Sequence, residues 1–203
     1  MVGTAQSGPQ VRDTEPADRR NKTNNVNNKL KWITRSAAAI ALIVVAQYVT
    51  APLKQQLLTG SLVNLILALT TLLFGWGAGA AAAVVSPFIA YLLGINAQIL
   101  VVPAIAAGNL TYVLIIALLA KKLNGKLNPE MIGNFISVAV AALCKFVIQY
   151  LLIVKWIAPS YLPEKAQAVM SVNFGVMQLI TACIGGALAC LLYPLVSKGI
   201  KNS

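Results

Sequence analysis

Long apolar runs separated by short polar connections dominate the chain after residue 31. A helix that crosses a membrane needs about 20 mostly apolar residues. The pattern therefore predicts an all-α membrane protein, a compact bundle of six transmembrane helices. The last run is too long to cross the hydrocarbon upright, so that helix must tilt, bend or begin outside it. The six predicted spans lie at about residues 33–49, 57–74, 78–93, 99–120, 131–157 and 169–196.

The first 31 residues differ from the rest because they are polar and rich in asparagine and arginine. Such a segment cannot bury enough apolar surface to offset the entropy lost on ordering, so we predict that it is disordered. Because about 30 polar residues precede the first apolar run, the segment does not resemble a secretory signal. The predicted domains are a basic, polar cytoplasmic tail over 1–31, a six-helix transmembrane domain over 32–198, and a cytoplasmic C-terminal tail over 199–203.

Basic residues indicate the orientation of the bundle. The chain has 16 Lys and Arg against five Asp and Glu. Most of the basic residues fall in the N-terminal tail, in the connection between spans four and five, and at the C-terminus, whereas the other connections contain only Lys54, Lys155 and Lys165. Positive residues collect in cytoplasmic segments of membrane proteins. We therefore predict that both termini are cytoplasmic.

The predicted spans contain no Asp, Glu or His. An intramembrane hydrolase needs activated groups such as paired carboxylates, a metal site, or a nucleophile with a base. The sequence thus predicts no catalytic residue and no metal site, and argues against an enzyme. Carriers driven by protons or sodium usually place an acidic residue in their helices. A source of energy outside this chain is therefore the favoured hypothesis.

Lys145 is the most informative single residue because it lies near the middle of the fifth span. A charge at that depth costs about 2.5–3.5 kcal/mol on insertion scales, and no acidic side chain is predicted in the membrane to pair with it. Either an anionic group of a ligand compensates the charge, or the lysine points into a wet cavity or caps helix carbonyls. Gln149, one helical turn later, falls on the same face.

Uncharged polar residues gather in the outer halves of the spans. A single asparagine in a membrane helix commonly bonds to a neighbouring helix, but convergent polar groups among apolar ones also form pockets for small hydrogen-bonding molecules. Further polar residues of the same halves include Gln47, Gln56 and Gln178. The candidate substrate-binding residues are Gln55, Ser61, Asn64, Asn96, Asn109, Tyr112, Lys145, Gln149 and Asn173.

Small residues form a second pattern. Ala37 and Ala41 lie one turn apart near the cytoplasmic start of the first span and give a smooth face that another helix can approach closely. Small residues also line 78–83 and 185–189. Such faces serve packing within a bundle or, alternatively, a sliding interface with a partner.

The length, the six short-looped spans, the basic cytoplasmic ends and the Ala37-x-x-x-Ala41 motif together resemble the substrate-binding S components of energy-coupling factor (ECF) vitamin transporters. The resemblance implies a prokaryotic, multi-pass protein of the cell membrane. It implies that Ala37 and Ala41 face a transmembrane T component, and that two partner ATPases hydrolyse ATP while this chain binds no cofactor. It further implies an outer pocket, closed by the loops after spans one, three and five, and toppling of the whole subunit to deliver the vitamin inward.

The substrate follows less directly from the resemblance. Residues 59–64 and 103–109 are more similar to cobalamin-type S components than to those for riboflavin, thiamin or biotin. A corrinoid carries amides and a phosphodiester that suit Asn, Gln and Lys145, whereas pantothenate or another carboxylate vitamin suits Lys145 equally well. Two other hypotheses stay open: a self-sufficient small permease and a membrane scaffold without a ligand.

Overall fold

The computed structural model describes residues 17–53, 55–95, 98–124 and 130–201, and these residues form helices joined by short connections, with no strand. A 3₁₀ turn at Ala51–Leu53 follows the first helix, another at Ile99–Val101 precedes the fourth, and a π-helix at Tyr150–Ile157 extends the fifth. The α-helices are α1 (Ala17–Thr50), α2 (Gln56–Phe74), α3 (Trp76–Leu92), α4 (Val102–Asn124), α5 (Glu130–Gln149), α6 (Ala158–Tyr161), α7 (Glu164–Asn173) and α8 (Val176–Lys201).

Several of these helical segments have the length and composition of membrane spans. Trp76–Leu92 is apolar but shorter than the others, with Pro87 inside it. The described residues therefore form an all-helical architecture with several candidate membrane spans. Five segments of the described residues are long and apolar enough to cross a membrane: Asn25–Leu53, Gln56–Phe74, Ile99–Asn124, Glu130–Tyr161 and Glu164–Ile200.

The chain divides into two units, Met1–Lys31 and Trp32–Ser203. In the first unit, α1 begins at Ala17, so residues 17–31 of the predicted tail are helical in the structure. Extending a helix costs far less than nucleating one, since each added residue gains a hydrogen bond. Polar residues can therefore be helical next to a stable span. Residues 1–16 lie outside the described residues, and at the other terminus α8 extends to Lys201, into the predicted C-terminal tail.

The last apolar run is not one helix. It is divided into α7 and α8 at Phe174 and Gly175, which lie between the two. A Cβ atom on Gly175 would collide with the carbonyl oxygen of Ser171, so the chain passes itself closely at this turn. The predicted bend thus takes the form of a break, and α7 becomes a separate ten-residue helix.

The core of the second unit lies among α2, α4, α5 and α8. Leu67, Tyr112, Val138 and Ala182 are among its buried residues. Glycines allow these helices to approach closely: the Cβ position of Gly185 on α8 lies 2.7 Å from the backbone nitrogen of Leu65 on α2 and also against the carbonyl oxygen of Ser61. The small residues near 185 therefore serve packing within the bundle.

Replacing Gly185 with alanine is expected to destabilise the bundle, because the added methyl group meets backbone atoms that cannot rotate away. Overpacking of this kind costs about 1–3 kcal/mol, which corresponds to a fall of roughly 3–10 °C in the melting temperature of a protein of this size. Gly199→Ala in the same helix is the matched control, since no atom lies within 4 Å of its Cβ position. Thermal unfolding in detergent measures both, and equal melting temperatures for the two variants would refute the close approach.

Candidate substrate-binding cavity

A cavity of about 500 Å³ opens at the end of the bundle where α2, α4 and α8 begin. Three connections contribute to its wall: the segment after α1, the segment after α3 and helix α7, which follows the fifth span. Its lining combines amide and hydroxyl groups with a few apolar side chains. The polar lining residues are Gln47, Thr50, Gln55, Gln56, Thr59, Asn64, Asn109, Lys145, Gln149, Asn173 and Gln178.

Lys145 on α5 is the one basic residue that the described part of the chain contributes to this lining. Its side chain is 1% exposed, and its Nζ atom donates to Asn64 Oδ1 at 2.5 Å and to Asn109 Oδ1 at 2.7 Å. Nζ also lies 5.3 Å from the centre of the Tyr112 ring, within the range of a cation–π contact. A lysine has three donors, so these two hydrogen bonds leave one for a ligand in the cavity.

The charge of Lys145 is solvated by dipoles rather than by a carboxylate. Among the described residues, no acidic side chain lines the cavity. Glu130 begins the same helix, but 15 residues along an α-helix place it about 22 Å away. The described lining thus supplies no full countercharge for the lysine.

Neighbouring side chains hold the amides in place. Asn64 uses both ends of its amide, since Oδ1 accepts from Lys145 while Nδ2 donates to Thr181 Oγ1 at 3.4 Å. Thr181 in turn donates to the carbonyl oxygen of Gln178 at 3.1 Å. The orientation of the lysine is thus tied to α8 through two side chains.

Two amide oxygens at the cavity have no hydrogen-bond partner among the described residues. Gln149 donates through Nε2 to the carbonyl oxygen of Ile105 at 3.3 Å, but its buried Oε1 accepts nothing. The buried Oε1 of Gln47 is also without a partner. Buried polar groups are normally paired, so these oxygens mark positions where a ligand can donate N–H or O–H groups.

The structure brings six of the nine candidate residues to this one cavity, namely Gln55, Asn64, Asn109, Lys145, Gln149 and Asn173. Ser61 is buried outside the lining, with no partner for its hydroxyl. Tyr112 lies behind Lys145, and its hydroxyl donates to the carbonyl oxygen of Ala182 at 3.1 Å. Asn96 lies outside the described residues.

Sequence reasoning missed the contribution of α7 and of two threonines. Val169, Met170 and Phe174 line the cavity, and all three lie within the predicted last span. Thr59 donates to Thr50 at 2.7 Å across the connection between α1 and α2. Gly175 is the one signal in the sequence that could have indicated the break.

Ala37 and Ala41 are exposed on α1. The opposite face of that helix is buried through Ser36, Ala39 and Ile43. The two alanines are therefore not used for packing within the described bundle, and they present a low surface to a neighbour in the membrane.

A scan against protein-family models matches residues 31–197 to the ECF transporter, substrate-specific component. The chain belongs to this family. The family consists of substrate-binding subunits of a transporter rather than enzymes. Searches among curated proteins and among solved structures return no match to this chain.

Membership in the family of ECF substrate-specific components bears on the role of the cavity around Lys145. A substrate-specific component must hold its solute, and the cavity around Lys145 offers about 500 Å³ lined by many polar groups. The ECF membership and the apolar helices together make this a multi-pass membrane subunit of a transporter.

Proposed function

We propose that this chain captures a small vitamin with a carboxylate group from outside the cell, holding that carboxylate at Lys145. The observation that carries the proposal is the buried Nζ atom, which faces two amide oxygens and no carboxylate. An anion bound there relieves the cost of a buried, uncompensated charge. Alternatively, the amide dipoles alone stabilise the lysine. In that case the third N–H donor of its Nζ atom has no acceptor.

The remaining lining defines the rest of the substrate. Unpartnered oxygens of Gln47 and Gln149 favour a molecule that carries N–H or O–H donors besides its carboxylate. Pantothenate, with hydroxyl groups and an amide, has this chemistry. A cavity of about 500 Å³ is within the range that holds drug-sized molecules. Cobalamin is far larger, so the volume favours a carboxylate vitamin over the corrinoid suggested by residues 59–64 and 103–109.

Transport in this proposal depends on partners. A transmembrane T component contacts the exposed face at Ala37 and Ala41, and two cytoplasmic ATPases hydrolyse ATP, so the chain itself binds no cofactor. The subunit topples in the cell membrane to release the vitamin inward. The distribution of basic residues supports cytoplasmic termini and six crossings, with Trp76–Leu92 as the short one.

Uptake in proteoliposomes tests the proposal against the permease and scaffold hypotheses. The chain is reconstituted alone, and also with a T component and two ATPases of an ECF transporter, and labelled pantothenate is added outside with ATP inside. The proposal expects uptake only in the complete assembly and only with ATP. Uptake by the chain alone would support a permease. No uptake in either preparation, together with no saturable binding of any vitamin to the purified chain, would support a scaffold.

A further inference from the structure

A second cavity, of about 270 Å³, lies at the opposite end of the bundle. It is formed where α2 and α4 end and where α3 and α5 begin, with Tyr193 from the last part of α8. This is the end that carries Lys121 and Lys122 in the last turn of α4, which the charge distribution predicts to be cytoplasmic. The substrate cavity is at the other end, so this one is not part of that site.

Two asparagines in this cavity are only half satisfied. Asn134 on α5 is 1% exposed, and its Oδ1 accepts from Asn124 Nδ2 at 2.9 Å. Its Nδ2 donates to nothing, and Asn124 Oδ1 accepts nothing. These two lining residues therefore carry one buried donor and one buried acceptor, and both atoms are without a partner in the described part of the chain.

The asparagine pair lies where α4 and α5 meet. The Cβ position of Gly133 lies against Asn124 Oδ1, so glycine at this position leaves room for the Asn124 side chain beside α5. The two unpartnered atoms thus belong to side chains at this helix contact. Since buried polar groups are rarely left unpaired, their position at a cavity points to a ligand.

Charge and aromatic groups complete the lining. Lys121 lines the same cavity as the unpartnered Asn134 donor. A cation and an N–H donor together suit a phosphate group. Trp76 and Tyr193 also line the cavity, and such amphipathic rings prefer the level of lipid headgroups. The unpartnered Asn124 oxygen suits a hydroxyl donor attached to the same molecule. Basic pockets between transmembrane helices on the cytoplasmic side are where anionic headgroups bind.

We propose that this cavity binds the headgroup of an anionic phospholipid of the inner leaflet, with its phosphate at Lys121 and Asn134 and a headgroup hydroxyl at Asn124. Phosphatidylglycerol has the required phosphate, negative charge and hydroxyl groups. The site lies on helices other than α1. Its lipid therefore binds away from the face at Ala37 and Ala41, and the proposal does not depend on the identity of the vitamin.

Native mass spectrometry of the full chain, released from detergent micelles with equal phosphatidylglycerol and phosphatidylcholine, tests the proposal. We expect the wild-type chain to retain one phosphatidylglycerol at least tenfold more often than phosphatidylcholine. Lys121→Gln is expected to lower that retention about tenfold. Asn134→Asp is expected to do the same, because it keeps the side-chain shape but places a carboxylate against the phosphate. Lys122→Gln is the matched control, since this neighbouring lysine does not line the cavity.

If Lys121→Gln and Lys122→Gln lowered phosphatidylglycerol retention equally, the proposal would be overturned. That result would mean that basic residues near the membrane attract the lipid without a defined site.

A competition with soluble glycerol 3-phosphate shows whether the bound phosphate belongs to a membrane lipid or to a soluble phosphate ester. Retention of the lipid at millimolar competitor supports a membrane lipid as the occupant. Displacement of the lipid by the competitor would overturn that assignment in favour of a soluble phosphate ester.

Discussion

Lys145→Met is expected to weaken binding of the carboxylate vitamin by roughly 30- to 3000-fold. Removing one partner of a buried, hydrogen-bonded charge pair costs about 2–5 kcal/mol, and each 1.4 kcal/mol is a tenfold change in Kd. Methionine has a similar length and fills the same space, so the cavity keeps its shape. Isothermal titration calorimetry in detergent gives the dissociation constants of the vitamin for the wild-type and the Lys145→Met chains.

The control for this variant is Lys155→Met, which removes an exposed lysine that lies outside the cavity lining. Its Kd is expected to match that of the wild type. The free Lys145→Met chain loses two hydrogen bonds to buried amide oxygens and also a buried charge, so its melting temperature is measured separately from its affinity. Stabilisation by added vitamin should disappear. If Lys145→Met bound the vitamin as tightly as the wild type, the lysine would be a structural group and not a ligand of the carboxylate.

Ala37→Leu combined with Ala41→Leu is expected to lower ATP-dependent uptake at least tenfold while leaving vitamin binding to the isolated chain unchanged. The two positions are exposed on α1, away from the substrate cavity. Close helix packing in membranes relies on small residues, and two leucines would hold the partner helix away. Leucine adds bulk without placing a charge in the bilayer. A loss of uptake therefore indicates that α1 no longer packs closely against the partner helix.

Ala139→Leu is the matched control, because Ala139 is an exposed alanine on α5. Uptake by this variant should match the wild type. Uptake in proteoliposomes and titration of the isolated subunits together separate coupling from binding. Normal uptake by the double leucine variant would show that the T component uses another face. A parallel loss of vitamin binding would show that the substitutions damage the subunit itself.

The sequence predicted the helices well where hydropathy alone decides them. The spans assigned to 57–74 and 131–157 correspond to α2 and to α5 with its π-helical continuation. Hydropathy carried no information on the helical start at Ala17, because that stretch is polar. Nor did it give the break at Gly175, because both sides of the break are apolar and a single glycine is tolerated within a helix.

For the candidate site, chemistry was more informative than geometry. Lys145 stood out because a lone cation in an apolar span is costly, and helical periodicity placed Gln149 beside it. The partners of that lysine, Asn64 and Asn109, are 81 and 36 residues away in the chain. Such hydrogen bonds depend on how the helices cross, and the close α2–α8 contact at Gly185 contributes to that crossing. They cannot be predicted from the periodicity of a single helix.

The most direct test of the central claim compares two ligands that differ only in the carboxylate. Pantothenate and its alcohol analogue, which has a hydroxymethyl group in place of the carboxylate, are titrated into the purified wild-type chain, with biotin, folate and cobalamin as comparators. The account predicts saturable binding of pantothenate and at least 30-fold weaker binding of its alcohol analogue. Equal affinity for the acid and its uncharged analogue, or tight binding of cobalamin alone, would contradict the assignment of Lys145 as the carboxylate ligand.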